Sequence, residues 1–496
     1  MVGILKIFEK SLGIGLLLTF IFSFTGFANN CDNLSSKVLR LHILANSDSK
    51  ADQELKIKVR DKIIEKSGDF LNGATDKVSA QNLTAENLEN IKKILKKYSQ
   101  EHLLNEYERL DSVKQKQLLE QIENTDFELI NSLYNNTKKE FEMHDSKITP
   151  IEYLDKDKLN GYYKNFQVVG EKAIREGKLA AVTMAGGQGT RLGHKGPKGT
   201  FDIGLESHKS LFELLSDSLK EQGKKYEVVI PWFIMTSEEN NDDTIEFFAK
   251  HRYFGYEKDK NIFFFKQGEL PMVDTEGKIL IGENGLIKEA ADGHGGIYEA
   301  LVKNGMTKKM RELGVEWIFI GGVDNCLVKM VDPILMGIAI QQNVTAAGKS
   351  VVKANPQERV GVFCKKDGKP SVVEYTEIPK EMAEATDERG ELIYGESHIL
   401  CNLFNIDAVE RMGKKPLPYH SAFKKATYID KNGNKVVPDG PNAYKFEAFL
   451  FDAFGELDDM AILRVKREEE FAPVKNASGV DSPETARELY RKFYQL

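Results

Sequence analysis

The chain has 496 residues, of which 41% are hydrophobic and 29% are charged, so it can bury at least one large core and has room for two or three domains. This composition excludes an intrinsically disordered protein. Lys and Arg number 69 against 76 Asp and Glu, a formal net charge of -7, which excludes the strongly basic surface of a general nucleic-acid-binding protein.

The first thirty residues form an apolar segment. A short Lys-bearing start, MVGILKIFEK, precedes the uncharged run SLGIGLLLTFIFSFTGFA at residues 11–28, which ends in the small-x-small triplet GFA. Nothing amphipathic interrupts the run, and this disfavours a buried core helix. We predict that residues 1–30 are a signal peptide or a single membrane anchor, which would tether the chain through residues 11–28.

Residues 31–80 are predicted to form a short folded segment and a linker. Alternation in VLRLHIL predicts a strand, NSDS predicts a turn with a helix cap, and ADQELKIKVRDKIIE predicts an amphipathic helix. The run LHILANSDS followed by DQELKIKVRD resembles the opening of stage II sporulation protein R, a secreted signalling protein of endospore-forming bacteria. This partial resemblance leaves a secreted sporulation signal as an alternative function.

Residues 81–177 are predicted to be a mainly helical region. The periodicity of LENIKKILKKYSQEHLLNEYERL and of VKQKQLLEQIENTDFELINSLY is that of amphipathic helices. Ile94 and Leu95 are expected on an apolar stripe, so the KKILKK run around them is interpreted as a solvated helix face and not as a nucleic-acid-binding patch.

Residues 178–400 alternate between apolar strands and helices. Strands are predicted at LAAVTMA, VVIPWFIMTS, IFFFKQ and VEWIFIGGV, and a hairpin at GVFCKKDGKPSVVEY turns at Asp367-Gly368. Near-continuous apolar strands between helices are typical of an α/β fold, with a mixed, mostly parallel sheet covered by helices on both faces.

The cysteines are widely spaced and include no C-x-x-C pair. This spacing suggests neither a disulfide framework nor a zinc site, and a reducing cytoplasm suits the last three of them. They are Cys31, Cys326, Cys364 and Cys401.

The strand LAAVTMA leads into a glycine-rich loop, AGGQGTRLGHKGPKGT, that ends at residue 200. The loop lacks the third glycine of G-x-G-x-x-G and the Gly-Lys-Ser/Thr of a P-loop, and the GKS at 348–350 leads into strand-like residues where a P-loop needs a helix. Glycines let backbone N–H groups approach an oxyanion, and Arg191 and Lys198 supply positive charge. The loop's residues favour a phosphate cradle, with a tight packing turn as the alternative.

The segment MAGGQGTRLGHKGPKGTFDIGL resembles the signature of eukaryotic-type UDP-N-acetylglucosamine pyrophosphorylases, within the UDP-sugar pyrophosphorylase family, and the resemblance covers about residues 86–496. It implies a nucleotidyltransferase fold, Rossmann-like and GT-A-like, with a helical N-terminal extension. It also implies that a small C-terminal α+β region, residues 401–496, completes the sugar-phosphate site. The other matching blocks, in the family's order, are SHKSLFELL, PWFIMTS, FFFKQGELP, DGHGGIYEAL, GGVDNCLVKMVDP, RVGVFCKKDGKPSVVEYTEI, PNAYKFEAFLFDAF and VKREEEFAPVKN.

The family reaction implies UTP and a sugar 1-phosphate as substrates, Mg²⁺ as cofactor, no nucleic acid as partner, and in-line attack without a covalent intermediate. The attacking phosphate oxygen is already anionic, so the chemistry requires charge neutralisation and alignment instead of a general base.

The resemblance also assigns the site residues, with Arg191 on the departing pyrophosphate and Gln267 on the uracil edge. It implies catalytic roles for Arg191, Lys198 and Lys445, nucleotide contacts from Met184, Ala185, Gly186, Gly187, Gln267, Gly293 and Lys424, sugar contacts from His294, Glu374, Tyr375 and His398, and Mg²⁺ binding by Asp324.

Two departures from the family pattern concern the sugar. His294 and His398 stand where the eukaryotic enzymes carry asparagine, so N-acetylglucosamine is the first expectation, with glucose and N-acetylgalactosamine as alternatives. These substrates imply a cytoplasmic catalytic region, whereas the apolar start implies passage across a membrane or anchoring in it. A gene fusion would account for both ends of the chain.

Overall fold

The computed structural model describes residues 88–138, 146–159 and 161–496. The predicted membrane segment, the sporulation-protein-like strand and helix, and the linker lie outside these residues. In the part of the chain that is described, no helix is both long enough and apolar enough to span a bilayer. The chain divides into two compact units, residues 1–127 and 128–496, which are taken in turn.

The described part of the first unit is helical, whereas residues 148–155, also within the region predicted to be mainly helical, contain two short strands. Its helices are α1, described over residues 88–97, α2 (Leu103–Tyr107) and α3 (Ser112–Asn124). Ile91 and Leu95, one turn apart, are buried, whereas Ile94 is 43% exposed. The expectation that Ile94 shares the apolar stripe is therefore wrong, because the stripe follows the i, i+4 spacing. The lysines of KKILKK are exposed.

The second unit is built on an eleven-stranded sheet. The strands of the unit are β1 (Ile148–Pro150), β2 (Leu154–Asp155), β3 (Leu179–Met184), β4 (Trp232–Thr236), β5 (Ile262–Lys266), β6 (Glu269–Pro271), β7 (Val273–Asp274), β8 (Glu289–Ala291), β9 (Trp317–Gly322), β10 (Ala346–Val352), β11 (Val362–Lys366), β12 (Lys369–Val373), β13 (Glu396–Asn405), β14 (His420–Lys424), β15 (Tyr428–Ile429), β16 (Lys435–Val436), β17 (Ala443–Glu447) and β18 (Ala461–Arg464). The main path of the sheet is β2-β18-β10-β13-β9-β3-β4-β5. Along this path β13 runs antiparallel to both neighbours and the other pairs are parallel. The predicted mixed, mostly parallel α/β sheet is confirmed.

Helices cover both faces of this sheet. Alternate strand residues point to opposite cores: Trp232 and Phe319 belong to one buried cluster, and their chain neighbours Phe233 and Ile320 belong to the other. Apart from α4 (Phe127–Asn136), whose first residue is the last of the first unit, the helices of the second unit are α5 (Tyr162–Arg175), α6 (Leu211–Tyr226), α7 (Asn241–Lys250), α8 (Ile297–Lys303), α9 (Met306–Glu312), α10 (Pro333–Gln341), α11 (Lys380–Ala383), α12 (Ile406–Met412), α13 (Arg467–Glu470) and α14 (Pro483–Tyr494). Near-continuous apolar strands are thus explained by burial on two sides.

Smaller sheets stand beside the main one. The C-terminal strands β14 and β17 pair with each other, and β17 also pairs with β7, while β6 pairs with β8. The predicted hairpin is β11-β12, with positive φ at Asp367 and Gly368, as a two-residue Asp-Gly turn requires. The GKS triplet at 348–350 lies within β10, and this agrees with its rejection as a P-loop.

Candidate active site

The glycine-rich loop leaves the carboxyl end of β3, in the middle of the sheet. Met184, the last residue of β3, lies beside Gly322 of β9 and Met235 of β4. Ligands of open α/β sheets bind at the carboxyl ends of the strands. The loops after β3, β4, β5 and β9 therefore converge on one edge of the sheet.

A buried asparagine holds the start of this loop. The side-chain amide of Asn240, which is fully buried, donates to the carbonyl oxygens of Ala185 (2.8 Å) and Gly187 (3.3 Å). Further along, the backbone N–H of Lys198 donates to the carbonyl oxygen of Gly187 at 3.0 Å. The loop is closed by its own hydrogen bonds, and this fixes where the Lys198 side chain begins.

Lys198 points towards Asp324, two residues after the end of β9. Its Nζ lies 3.4 Å from Asp324 Oδ2, and both side chains are largely shielded from solvent. Burial alone would raise the pKa of Asp324, but the positive charges of Lys198 and Lys475 hold that pKa below its usual value. Asp324 is therefore a carboxylate at neutral pH.

Two glycines that line the site, Gly186 and Gly293, are in close contact with neighbouring segments. A Cβ on Gly186 would lie 2.2 Å from Gln267 Oε1, so the Gln267 amide packs directly against the Gly186 backbone. Gly293 has φ +89°, and a Cβ there would lie 2.4 Å from the carbonyl oxygen of Ala448. Both its backbone conformation and its close contact require glycine at 293.

Lys445 enters the site from β17. Its Nζ lies 2.6 Å from Glu447 Oε1, and the two side chains are 22% and 28% exposed. Lys445 is therefore paired with a carboxylate of its own strand, and the two side chains lie on the same face of β17.

These groups surround a cleft of about 720 Å³. A second cavity of about 210 Å³ adjoins it, and His294, Gly322, Asp324 and Leu400 line both. Of the predicted site residues, the cleft is lined by Met184, Gly186, Gly187, Lys198, Gln267, Gly293, His294, Asp324 and Lys445. The second cavity is lined by His294, Asp324, Glu374 and His398.

The two histidines of the second cavity are neutral. Burial lowers the pKa of His294 to about 4 and that of His398 to about 3. His294 Nδ1 accepts a hydrogen bond from the Leu450 N–H at 2.9 Å, so the ring proton is on Nε2. His398 contacts the side chain of Asn402 and lies edge-on to three phenylalanine rings, with the nearest ring centroid, that of Phe363, at 4.9 Å.

Comparison with known proteins shows the family to which this chain belongs. The family model described as UTP--glucose-1-phosphate uridylyltransferase matches residues 124–481. UDP-N-acetylglucosamine diphosphorylase 2 of Arabidopsis thaliana is 37% identical over 427 residues, which cover 81% of this chain and 82% of the relative. The chain belongs to the UDP-N-acetylglucosamine pyrophosphorylase family.

Other members and solved structures agree with this assignment. UDP-N-acetylglucosamine pyrophosphorylase of Saccharomyces cerevisiae is 37% identical, with 80% of this chain and 85% of that protein covered. The crystal structure of the Trypanosoma brucei UDP-N-acetylglucosamine pyrophosphorylase in complex with inhibitor is 32% identical, has a TM-score of 0.69, and covers 81% of this chain and 84% of its own.

The predicted resemblance of the N-terminal segment to stage II sporulation protein R is confirmed. The family model for stage II sporulation protein R matches residues 35–116, a longer stretch than the strand and helix that suggested it. Residues 35–87 of that match lie outside the described structure.

Four predicted residues of the pyrophosphorylase site do not line the cleft or the second cavity. Ala185 is fully buried, Tyr375 is 44% exposed, and Lys424 is exposed on β14. Arg191 is exposed on the 3-10 turn Thr190–Leu192. For these four the sequence prediction stays a prediction.

Because Arg191 is exposed on this turn, we expect it to contribute mainly to holding UTP. The Arg191→Ala variant should raise KM for UTP about tenfold, the size of one lost charge-assisted hydrogen bond, and change kcat less. Steady-state kinetics at varied UTP concentration measures both. An unchanged KM for UTP would remove Arg191 from the site.

Sequence analysis missed several residues that line the two cavities. Glu447 lies two residues after Lys445 in the matched stretch PNAYKFE, and Lys475 is the next-to-last residue of the block VKREEEFAPVKN. The resemblance covered both blocks but assigned no role to either residue. Arg359 and Phe451 line the second cavity; they also lie inside matched blocks, RVGVFCKKDGKPSVVEYTEI and PNAYKFEAFLFDAF, but the resemblance assigned them no role. What connects them is tertiary contact and not spacing in the chain.

The single carboxylate of Asp324 suits a Mg²⁺ ion whose other ligands are oxygen atoms of the substrates. The described residues contain no group of three or more His, Cys, Asp or Glu side chains arranged to hold a metal ion. Mg²⁺ is commonly bound through one or two carboxylates together with substrate phosphates. A single ionised Asp324 beside the glycine-rich loop fits that pattern.

Asp292, just before the Gly293 turn, gives this family member a pH-dependent stability. Burial, reinforced by the negative charges of Glu299 and Glu269 and opposed by Lys445, raises the pKa of Asp292 to about 7 from 3.8. Its Oδ1 has no hydrogen-bond partner among the described residues. Between these two pKa values, 3.8 in the unfolded state and about 7 in the folded state, the folded state binds more protons than the unfolded state. The free energy of unfolding therefore falls as the pH rises through this range.

The Asp292→Asn variant cannot lose this proton, and its amide has the size of the carboxyl group. We expect the difference between the Tm of the variant and the Tm of the wild type to be a few degrees larger at about pH 8 than at about pH 5. Thermal melts of both proteins across this range measure the difference. A difference that does not vary with pH would contradict the raised pKa.

Proposed function

We propose that the protein joins UTP and N-acetylglucosamine 1-phosphate to give UDP-N-acetylglucosamine and pyrophosphate. The observation that carries the proposal is the Lys198–Asp324 pair, which adjoins a nucleotide-sized cleft, while Asp324 also lines a smaller, more enclosed cavity. Identity of 37% to UDP-N-acetylglucosamine diphosphorylase 2 of Arabidopsis thaliana over most of both chains supports the choice of substrates.

The nucleotide occupies the cleft in this proposal. Gln267 reads the uracil edge with its amide, and Gly293 lets the base approach the backbone. The backbone N–H groups of the loop after β3 and the ammonium of Lys198 hold the phosphates. Mg²⁺, held by Asp324 and the phosphates, would supply further positive charge at the reacting centre.

The sugar 1-phosphate enters from the second cavity. Lys445 binds its phosphate when the ammonium is released from Glu447, and Glu374 accepts hydrogen bonds from sugar hydroxyl groups. The attacking oxygen is already an anion, so alignment against the α-phosphorus suffices and no base has to remove a proton. The neutral state of His294 and His398 is consistent with binding roles for both.

The identity of the sugar is tested by comparing kcat/KM for the candidate sugar 1-phosphates. His294 offers an Nε2–H donor where the family carries an amide, and one donor suffices for one sugar oxygen. We expect kcat/KM to be highest for N-acetylglucosamine 1-phosphate when the full-length protein is assayed with UTP. A larger kcat/KM for glucose 1-phosphate or for N-acetylgalactosamine 1-phosphate would overturn this order.

The location of the catalytic region follows from its substrates. UTP and sugar phosphates are cytoplasmic metabolites, so we place residues 128–496 in the cytoplasm, whether or not residues 11–28 anchor the chain. Protease treatment of intact cells tests this, and digestion of the C-terminal region from outside would contradict it. That outcome would favour the alternative of a secreted sporulation signal, which the match over residues 35–116 supports.

A further inference from the structure

Lys475 lies beside Asp324 on the side of the second cavity. It lines that cavity together with Asp324, Glu374 and His398, whereas Lys198 lines the cleft. Asp324 lines both spaces and therefore has one lysine on each side. Both lysines contribute to the low pKa of Asp324.

The loop that carries Lys475 is fixed to the end of β9. Val474 donates its N–H to the carbonyl oxygen of Asp324 at 2.9 Å. Two residues earlier, Ala472 donates its N–H to Asn325 Oδ1, also at 2.9 Å. The backbone of this loop thus keeps a constant register beside Asp324, and the Lys475 side chain starts from a defined position.

The ammonium group itself is loosely held. Its Nζ lies 3.5 Å from Asp481 Oδ2, in a pair whose side chains are 42% and 27% exposed, and 5.4 Å from the centroid of the Phe471 ring. An exposed pair at this distance contributes little to stability. By contrast, Lys198 and Lys445 are each paired with a carboxylate of the cleft. Lys475 can therefore turn to an arriving anion at little energetic cost.

We propose that Lys475 is a further catalytic residue, which contacts the phosphate of the sugar 1-phosphate on the second-cavity side of Asp324. The inference rests on the proposed function. Two phosphate-bearing substrates repel each other as they meet, and the cleft lining also carries Glu269, Glu289 and Glu447. The ammonium group of Lys475 reduces this repulsion from the second cavity, which Lys198 does not line.

Four variants of the full-length protein separate a catalytic role from a structural one. Lys475→Met removes the charge and keeps the aliphatic chain, and Lys475→Arg restores a cation. Asp481→Asn removes the partner of Lys475, and asparagine tolerates the positive φ of 56° at this position. Lys466→Met removes a comparably exposed lysine that pairs with Asp157 and lines neither cavity.

The expected result is specific to one substrate. Lys475→Met should raise KM for N-acetylglucosamine 1-phosphate about tenfold and lower kcat by a similar factor, with KM for UTP unchanged. Lys475→Arg should recover part of the loss, and Asp481→Asn and Lys466→Met should behave like wild type. Melting temperatures verify that each variant is folded.

Three results would overturn the assignment. Wild-type kinetics in Lys475→Met, an equal loss in Asp481→Asn, or a rise in KM for UTP alone would each exclude contact with the sugar phosphate. If the wild-type protein shows no turnover at all, the proposed function fails instead. Calorimetric titration with N-acetylglucosamine 1-phosphate then decides on Lys475: about tenfold weaker binding by Lys475→Met supports the contact, and equal or absent binding overturns it.

Discussion

Replacing Lys198 with methionine is expected to lower kcat/KM for uridylyl transfer about a thousandfold, the cost of removing one preorganised charge from a reacting centre. The side chain starts from a backbone hydrogen-bonded to Gly187 and reaches Asp324 at 3.4 Å, so a neutral side chain leaves this point without its cation. Steady-state assays with UTP and N-acetylglucosamine 1-phosphate measure the loss.

The same loop provides a matched control. Lys195 is exposed and does not line the cleft, so Lys195→Met removes one charge from the loop without touching the proposed site. We expect its kcat/KM to remain near that of wild type. If Lys195→Met and Lys198→Met lose activity equally, the charge of the whole loop is important and Lys198 has no special position.

Replacing Asp324 with asparagine should have an effect at least as large. The amide keeps the shape of the carboxyl group but removes the charge, and it is a much poorer ligand for Mg²⁺. We expect kcat to fall about a thousandfold or more and the Mg²⁺ concentration needed for half-maximal rate to rise. Titration of Mg²⁺ at saturating substrates measures both quantities.

Asp481→Asn is the control for this substitution because it makes the same chemical change in a neighbouring loop. Loss of the Lys198–Asp324 pair could also weaken the fold, so the melting temperatures of both variants are compared. A folded Asp324→Asn protein with kcat within about tenfold of wild type would refute the assignment of Asp324 as the metal ligand.

Local patterns predicted most of the elements that frame this site. The apolar strands β3, β4, β5 and β9 were recognised because a strand buried on two faces needs a near-continuous apolar run. The Asp367-Gly368 turn was recognised because few residue pairs tolerate two successive positive φ angles. Lys198, Gln267, Gly293 and Asp324 were found by resemblance in ordered motifs, and the structure brings all four to one cleft.

Other features could not be predicted because they depend on long-range contacts. The antiparallel direction of β13 is set by its pairing with β9 and β10, and no local pattern encodes a partner. The proton of His294 is assigned by the N–H of Leu450, 156 positions away. The exposure of Tyr375 and Lys424 likewise depends on tertiary packing and not on a local pattern.

The sequence by itself determined the fold class, the family resemblance and the residue types that can neutralise phosphate charge, because these depend on periodicity and on motifs contiguous in the chain. Only the tertiary structure decided which charges meet. Asp324 acquires Lys198 from one loop and Lys475 from another because strand ends distant in sequence converge at one edge of the sheet, and the energy of a charge depends on its neighbours in space.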